Sequence, residues 1–199
     1  PLRWSGAAAV AWSQLALGEA HACGLDAAGR AWCIGHNGYG QLGDGGTVSS
    51  ATPVAVAGGR SYRAIVAGAA HSCALAADGQ AWCWGQGPAV GDGGAVGTPR
   101  TVPVAVAGSL RFAAIAAGAQ QSCGLTADGS AWCWGFGGTG LIGDGGLVDR
   151  NTPAAVSGGQ RWRLVAGGGA ATCGITTAGA AWCWGWNEVG GTGRPIVAH

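Results

Sequence analysis

The chain has 199 residues, 48% of them hydrophobic and 10% charged, with a formal net charge of +1. That composition suits one folded domain or an array of small packed units, and it excludes a disordered polar chain. All ten basic residues are arginine, the 42 glycines follow no three-residue period, and no run of eighteen apolar residues occurs, so nucleic-acid binding by bulk charge, a collagen helix and a membrane-spanning helix are all set aside.

The chain begins at Pro1 without a signal pattern, so it is expected to be processed, trimmed or part of something longer. The first informative stretch is His21–Gly35, "HACGLDAAGRAWCIG". Two short apolar runs flank Ala27-Ala28-Gly29, which reads as a hairpin whose three-residue turn ends on a left-handed glycine. That turn pairs residue 26 with 30, 25 with 31, 24 with 32 and 23 with 33. Cys23 then lies opposite Cys33. As a non-hydrogen-bonded pair their Cα atoms sit about 4.5 Å apart, inside the reach of a disulfide. Trp32 faces Gly24 across the ribbon, and Leu25, Ala31 and the cysteines share the opposite face.

A Gly-rich loop, "GHNGYGQLGDGG", follows at 35–46, and then a proline-led apolar run, "PVAVAG", at 53–58. Next comes "YRAIVAG" at 62–68, and the hairpin returns at 71–85 with turn Ala77-Asp78-Gly79. The order repeats through Pro103, "FAAIAAG" and the hairpin 121–135. It repeats again through Pro153, "WRLVAGG" and the hairpin 171–185. Cys23, Cys73, Cys123 and Cys173 are spaced by fifty, as are Cys33, Cys83, Cys133 and Cys183. The units read as 1–52, 53–102, 103–152 and 153–199, the last cut short. Four short strands per fifty-residue unit predict an all-β fold, a β-propeller of four-stranded antiparallel blades.

Both faces of each hairpin are apolar, so each blade needs a neighbour on either side. A tryptophan face stacked on the next Leu/Ala/disulfide face supplies one. Four blades would leave one face of each kind bare. The expectation is part of a longer propeller. Self-association, a covering partner or a true four-blade ring are the alternatives. Four intrablade bridges place the chain outside the cytoplasm, in a periplasm, on a surface or secreted. Zinc would call for close cysteine pairs such as C-x-x-C, and none is present.

"LALGEAHACGL" (15–25) and "IVAGAAHSCAL" (65–75) resemble the strand signature of the regulator-of-chromosome-condensation repeat, and "IGHNGYGQLGDG" (34–45) resembles its companion signature. The resemblance covers essentially the whole chain. Later units depart from it: Gln121 and Ala171 replace the histidine, "GFGGTGLIGDGG" lacks the Asn and Gln, and "GWNEVGGTG" lacks the Asp. It implies a β-propeller, usually of seven blades, and here a bacterial extracytoplasmic member. The founder's nuclear nucleotide-exchange role does not carry over to a disulfide-rich chain without a basic surface.

No catalytic constellation is legible, and neither a metal nor a cofactor is expected. Asp44, Asp92 and Asp144 each bring a single carboxylate to a "GDGG" loop, whereas calcium takes about six to eight oxygens. Recognition remains. His36, Asn37, Tyr39, Gln86, Phe136, Trp186, Asn187 and Glu188 vary most between units and are the candidate partner contacts. Arg60, Arg63, Arg111, Arg161 and Arg163 cluster before or within the second strand of each unit and read either as one functional rim or as a solvated face. The expected role is a non-catalytic protein-binding scaffold, an accessory subunit of an envelope assembly with no nucleic acid and no direct membrane span. A secreted enzyme inhibitor and a carbohydrate-binding propeller are the alternatives.

Overall fold

A computed structural model describes residues 11–95 and 97–186. It holds fifteen strands and one short 3₁₀ turn, Pro88–Val90. The first sheet joins β1 (Trp12–Leu17), β2 (His21–Asp26), β3 (Ala31–Gly35) and β4 (Ser50–Ala55) in sequential order. The second joins β5 (Ala64–Ala67), β6 (His71–Leu75), β7 (Ala81–Gly85) and β8 (Arg100–Ala105). The third joins β9 (Phe112–Ala117), β10 (Gln121–Thr126), β11 (Ala131–Gly135) and β12 (Arg150–Ala155). The fourth has β13 (Trp162–Gly167), β14 (Ala171–Thr176) and β15 (Ala181–Gly185), with no fourth strand among the described residues.

The hairpin register follows from the turn. Cys23 pairs with Cys33, Gly24 with Trp32 and Leu25 with Ala31, and the same offsets recur in the other three hairpins. Gly29, Gly79, Gly129 and Gly179 close the turns at φ 77°, 83°, 81° and 88°, a region that penalises any Cβ. All four disulfides form, with Cα–Cα separations of 4.1 Å in three and 4.0 Å in Cys123–Cys133.

The proline-led strand does not open a new blade. Val54 and Ala55 pair with Cys33 and Trp32, so β4 is the last strand of the preceding sheet, and β8 and β12 behave likewise. Cuts at 52, 102 and 152 therefore run through strands. The long Gly-rich loop is what permits this, because it returns the chain antiparallel beside β3. Each proline then lies on an edge strand, where a missing N–H costs no ladder bond.

The space above the hairpin glycines is filled from the strand on their other side. A Cβ on Gly124 would strike the Phe112 ring, one on Gly174 the Trp162 ring, and one on Gly24 would meet Trp12. The aromatic that opens the first strand occupies that space, rather than the tryptophan directly across the ribbon.

Stacking repeats from sheet to sheet. Cys23, Leu25, Ala31 and Cys33 pack against Ile65, Ala74 and Trp84 of the next blade. Cys73, Leu75, Ala81 and Cys83 pack against Phe112 and Trp134. Leu125 and Ala131 pack against Trp162 and Trp184. Both faces of β6 are buried along its length, whereas β14 alternates, with residues 171, 173 and 175 only half-buried. The core is thus a row of seams, and among the described residues the two outermost faces lack one.

Candidate functional site

Each seam carries the same polar clamp. Ser72 Oγ donates to the Gln41 carbonyl at 3.0 Å, and Trp84 Nε1 donates to the same oxygen at 2.9 Å. The serine has then used its only proton. It accepts from His21 Nε2 at 2.8 Å, which sets the Nε2–H tautomer of that ring. His71, Ser122, Trp134 and the Ala89 carbonyl repeat the arrangement at 2.9 Å for every bond. In the third seam Gln121 Nε2 donates to Thr172 Oγ1 at 3.1 Å, and Thr172 and Trp184 each donate to the Leu141 carbonyl at 3.0 Å. Glutamine thus takes the place of imidazole as a neutral donor.

The loop glycine beside each indole is required by close approach. Gly43, Gly91 and Gly143 have φ of 69°, 74° and 74°, and a Cβ on any of them would press into Trp84, Trp134 or Trp184. The sequence showed the signal for these clamps, adjacent polar pairs such as His71-Ser72 and Gln121-Ser122 inside apolar strands.

Burial keeps both imidazoles neutral, with the His21 pKa lowered to about 4 and the His71 pKa to about 3. A neighbouring histidine adds to the effect in each case, His36 for His21 and His21 for His71. The unfolded chain binds these protons near pH 6.5. Stability is therefore expected to fall as pH drops from about 6.5 toward 4, by on the order of 1–3 kcal/mol per imidazole. The aspartate contributions at Asp26, Asp92, Asp128 and Asp144, all held below the usual carboxylate range, are lost only at lower pH. The variant His21→Gln/His71→Gln copies the third seam and should flatten thermal stability between pH 6.5 and 4.5. An unchanged slope in that variant would show that other groups carry it.

The candidate contacts are now placed. His36, Gln86, Phe136 and Trp186 are equivalent residues that leave the third strand of each blade. Their amides donate to Ala20, Ala70, Gln120 and Ala170 carbonyls at 2.8–2.9 Å. They therefore line one rim, opposite the hairpin turns. Tyr39, Gln86 and Phe136, from three successive blades, meet with Pro88, Gln120 and Asp149 around a single cleft of about 230 Å3. Cofactor sites usually need about 300–1,000 Å3, so this cleft fits one or two side chains. Asp149 Oδ1 accepts the Gly137 amide at 2.9 Å and steadies the cleft wall, as Ser49 Oγ does for Asn37 at 3.1 Å.

Asn37 is not a contact residue. It is fully buried, its amide donates to Asp44, Gly46 and Val48 oxygens, and its own oxygen accepts the Leu42 N–H at 2.9 Å. An amide with every position taken shapes its loop and offers nothing to a partner. His36 is exposed, accepts from Gln41 Nε2 at 3.0 Å and sits edge-on to Tyr39. Trp186 is exposed on the same rim but does not line the cleft with Phe136. Asn187 and Glu188 lie outside the described residues.

The arginines occupy the turn rim and are largely engaged within the fold. Arg63 donates to the Phe112 and Ala113 carbonyls of the next blade at 2.9 and 3.0 Å. Arg111 reaches Gln80 and Arg161 reaches Ser130, while Arg60 lies 3.6 Å from the centre of the Trp82 ring. Among the described residues no three His, Cys, Asp or Glu side chains converge, and no helix is long and apolar enough to cross a membrane.

The family description "Regulator of chromosome condensation (RCC1) repeat" matches residues 28–75, and a second form of that repeat matches 12–41 and 112–140. The fold is similar to yeast RCC1 (Prp20) bound to Kap60, at 22% identity and TM-score 0.79 over 92% of this chain and 46% of that one. Human WBSCR16 is similar at 21% identity and TM-score 0.81, over 94% of this chain and 50% of that one. The ectodomain of the receptor kinase CR4 from Physcomitrella patens is similar at 26% identity and TM-score 0.60, over 88% and 41%. The chain thus spans about half the length of these structures or less. No curated protein matches it.

Proposed function

The chain belongs to the regulator-of-chromosome-condensation repeat family, and from that premise we propose that it is a non-catalytic, extracytoplasmic scaffold that binds a protein partner through its loop rim. The observation that carries this reading is the cleft shared by Tyr39, Gln86 and Phe136. Three blades contribute one residue each to a concavity sized for a side chain, with aromatic and amide groups of the kind that dominate protein interfaces. The clamps and disulfides hold those residues on a preorganised frame, which lowers the ordering cost of binding.

Comparison supports the class of partner. The yeast propeller Prp20 is described as bound to Kap60 and as binding Gsp1p and histones. The receptor-kinase neighbours are ectodomains, in keeping with a disulfide-stapled blade outside the cytoplasm. Membership of an envelope assembly is the finer form of the proposal.

Site-specific photo-crosslinking in the oxidising compartment of the host tests it. A crosslinker at Gln86 or Phe136 should capture one and the same protein, and a crosslinker at Asp78 or Asp128 on the turn rim should not. Tyr39→Ala should lower the Gln86 yield at least several-fold while leaving the thermal midpoint within a few degrees. Equal capture from both rims, or none from the loop rim, defeats the proposal.

A further inference from the structure

The two end faces differ from every internal face in a correlated way. At internal seams the receiving row is small residue, hydroxyl, indole: Ala67–Ser72–Trp84, Ala117–Ser122–Trp134 and Gly167–Thr172–Trp184. On the outer face of the first sheet that row is Leu17–Ala22–Ile34. Hydroxyl and indole are both gone, and a leucine replaces the small residue. The donating face shows the matching loss. His21, His71 and Gln121 supply the clamp donor, and Ala171 stands at that position on the outer face of the fourth sheet.

Among the described residues nothing covers either face. Leu15 and Leu17 are 57% and 78% exposed on the first sheet, and Leu164 is 49% exposed on the fourth. Arg163, which neighbours Leu164, corresponds to Arg63, the residue that reaches forward to the next blade's carbonyls. One face is of the donating kind and the other of the receiving kind, the two halves of a seam that the fold already makes three times.

We propose that two copies of this chain pair head to tail, the outer face of the fourth sheet in each seated on the outer face of the first sheet in the other. Two such junctions join the four described sheets of each copy end to end. The occupant is a second copy because donor and acceptor were lost together. Ala171 against Ala22 leaves no orphaned polar group, whereas a blade that kept its histidine against Ala22 would bury an unpaired N–H. The volumes agree as well. Ile34 is smaller than the internal tryptophan, and Leu17 is larger than the alanine or glycine at its equivalent positions. Heterologous contacts of this kind close into rings when the rotation per copy completes a turn.

Native mass spectrometry and light scattering on the full, oxidised chain test the proposal. The expected mass is twice that of the chain. Leu17→Asp and Leu164→Asp, both at exposed positions, should each give monomers with unchanged tryptophan fluorescence. Leu147→Asp on the loop rim should remain paired. Mixing the two monomeric variants should restore a heterodimer through its one intact junction. Ala171→His should weaken pairing at least tenfold, and adding Ala22→Ser should recover most of that loss. A wild-type monomer at the highest soluble concentration overturns the proposal. So does pairing that only one of the two leucine substitutions disrupts, which marks a face-to-face dimer, or an open ladder of masses instead of a closed pair.

Discussion

Reduction of all four disulfides is expected to unfold the chain at room temperature. Each bridge closes a ten-residue separation. By chain entropy one such loop contributes about 2.5–3 kcal/mol, and the four loops do not overlap. Their sum, about 10 kcal/mol, rivals the whole stability of an ordinary domain, about 5–15 kcal/mol. The order of reduction should follow the stacking. Cys23, Cys33, Cys73, Cys83, Cys123 and Cys133 are at most 1% exposed, while Cys173 and Cys183 lie half-buried on the uncovered outer face. Graded thiol with alkylation and mass analysis should show Cys173–Cys183 opening first under native conditions. The other three should open together with loss of tryptophan burial. Simultaneous opening of all four, or a folded fully reduced chain, contradicts this account.

Truncation of a seam tryptophan is the second large effect. Trp84 and Trp134 are completely buried, each donates to a loop carbonyl, and each stacks near an aromatic at or just before the first strand of its own sheet, Tyr62 and Phe112. Trp134→Ala should cost about 3–5 kcal/mol through lost burial and the cavity left behind. Trp134→Phe should cost less, because the Ala89 carbonyl still accepts from Ser122 and the lost hydrogen bond contributes about 1 kcal/mol net. Trp182 is 49% exposed, since no described fourth strand covers its flank as Ala155 does for Trp132. Trp182→Ala should therefore cost about 1 kcal/mol or less, in the range of a surface change. Urea denaturation of the three variants decides it, and equal losses at 134 and 182 would refute the seam picture.

Asn37 and His71 show how far residue type alone can mislead. Both vary between units; variation at Asn37 suggested contact with something outside, while His71 stood only as part of a repeat signature. Burial gives both to the fold, one as the frame of a loop and the other as half of an interblade clamp. Tyr39, Gln86 and Phe136 also vary, and they converge on one cleft because equivalent loop positions of adjacent blades fall on the same rim.

The repeat, the hairpin register, the cysteine pairing and the alternation of indole and sulfur faces were all determined by the chain itself. They depend on a tight turn with one left-handed glycine and on a side-chain period of two, which are local properties. Tertiary structure decided which sheet claims the proline-led strand, which polar groups clamp each seam and which loop residues share a cleft. Those choices rest on contacts between residues about thirty to fifty positions apart, and such contacts exist only once neighbouring blades have stacked.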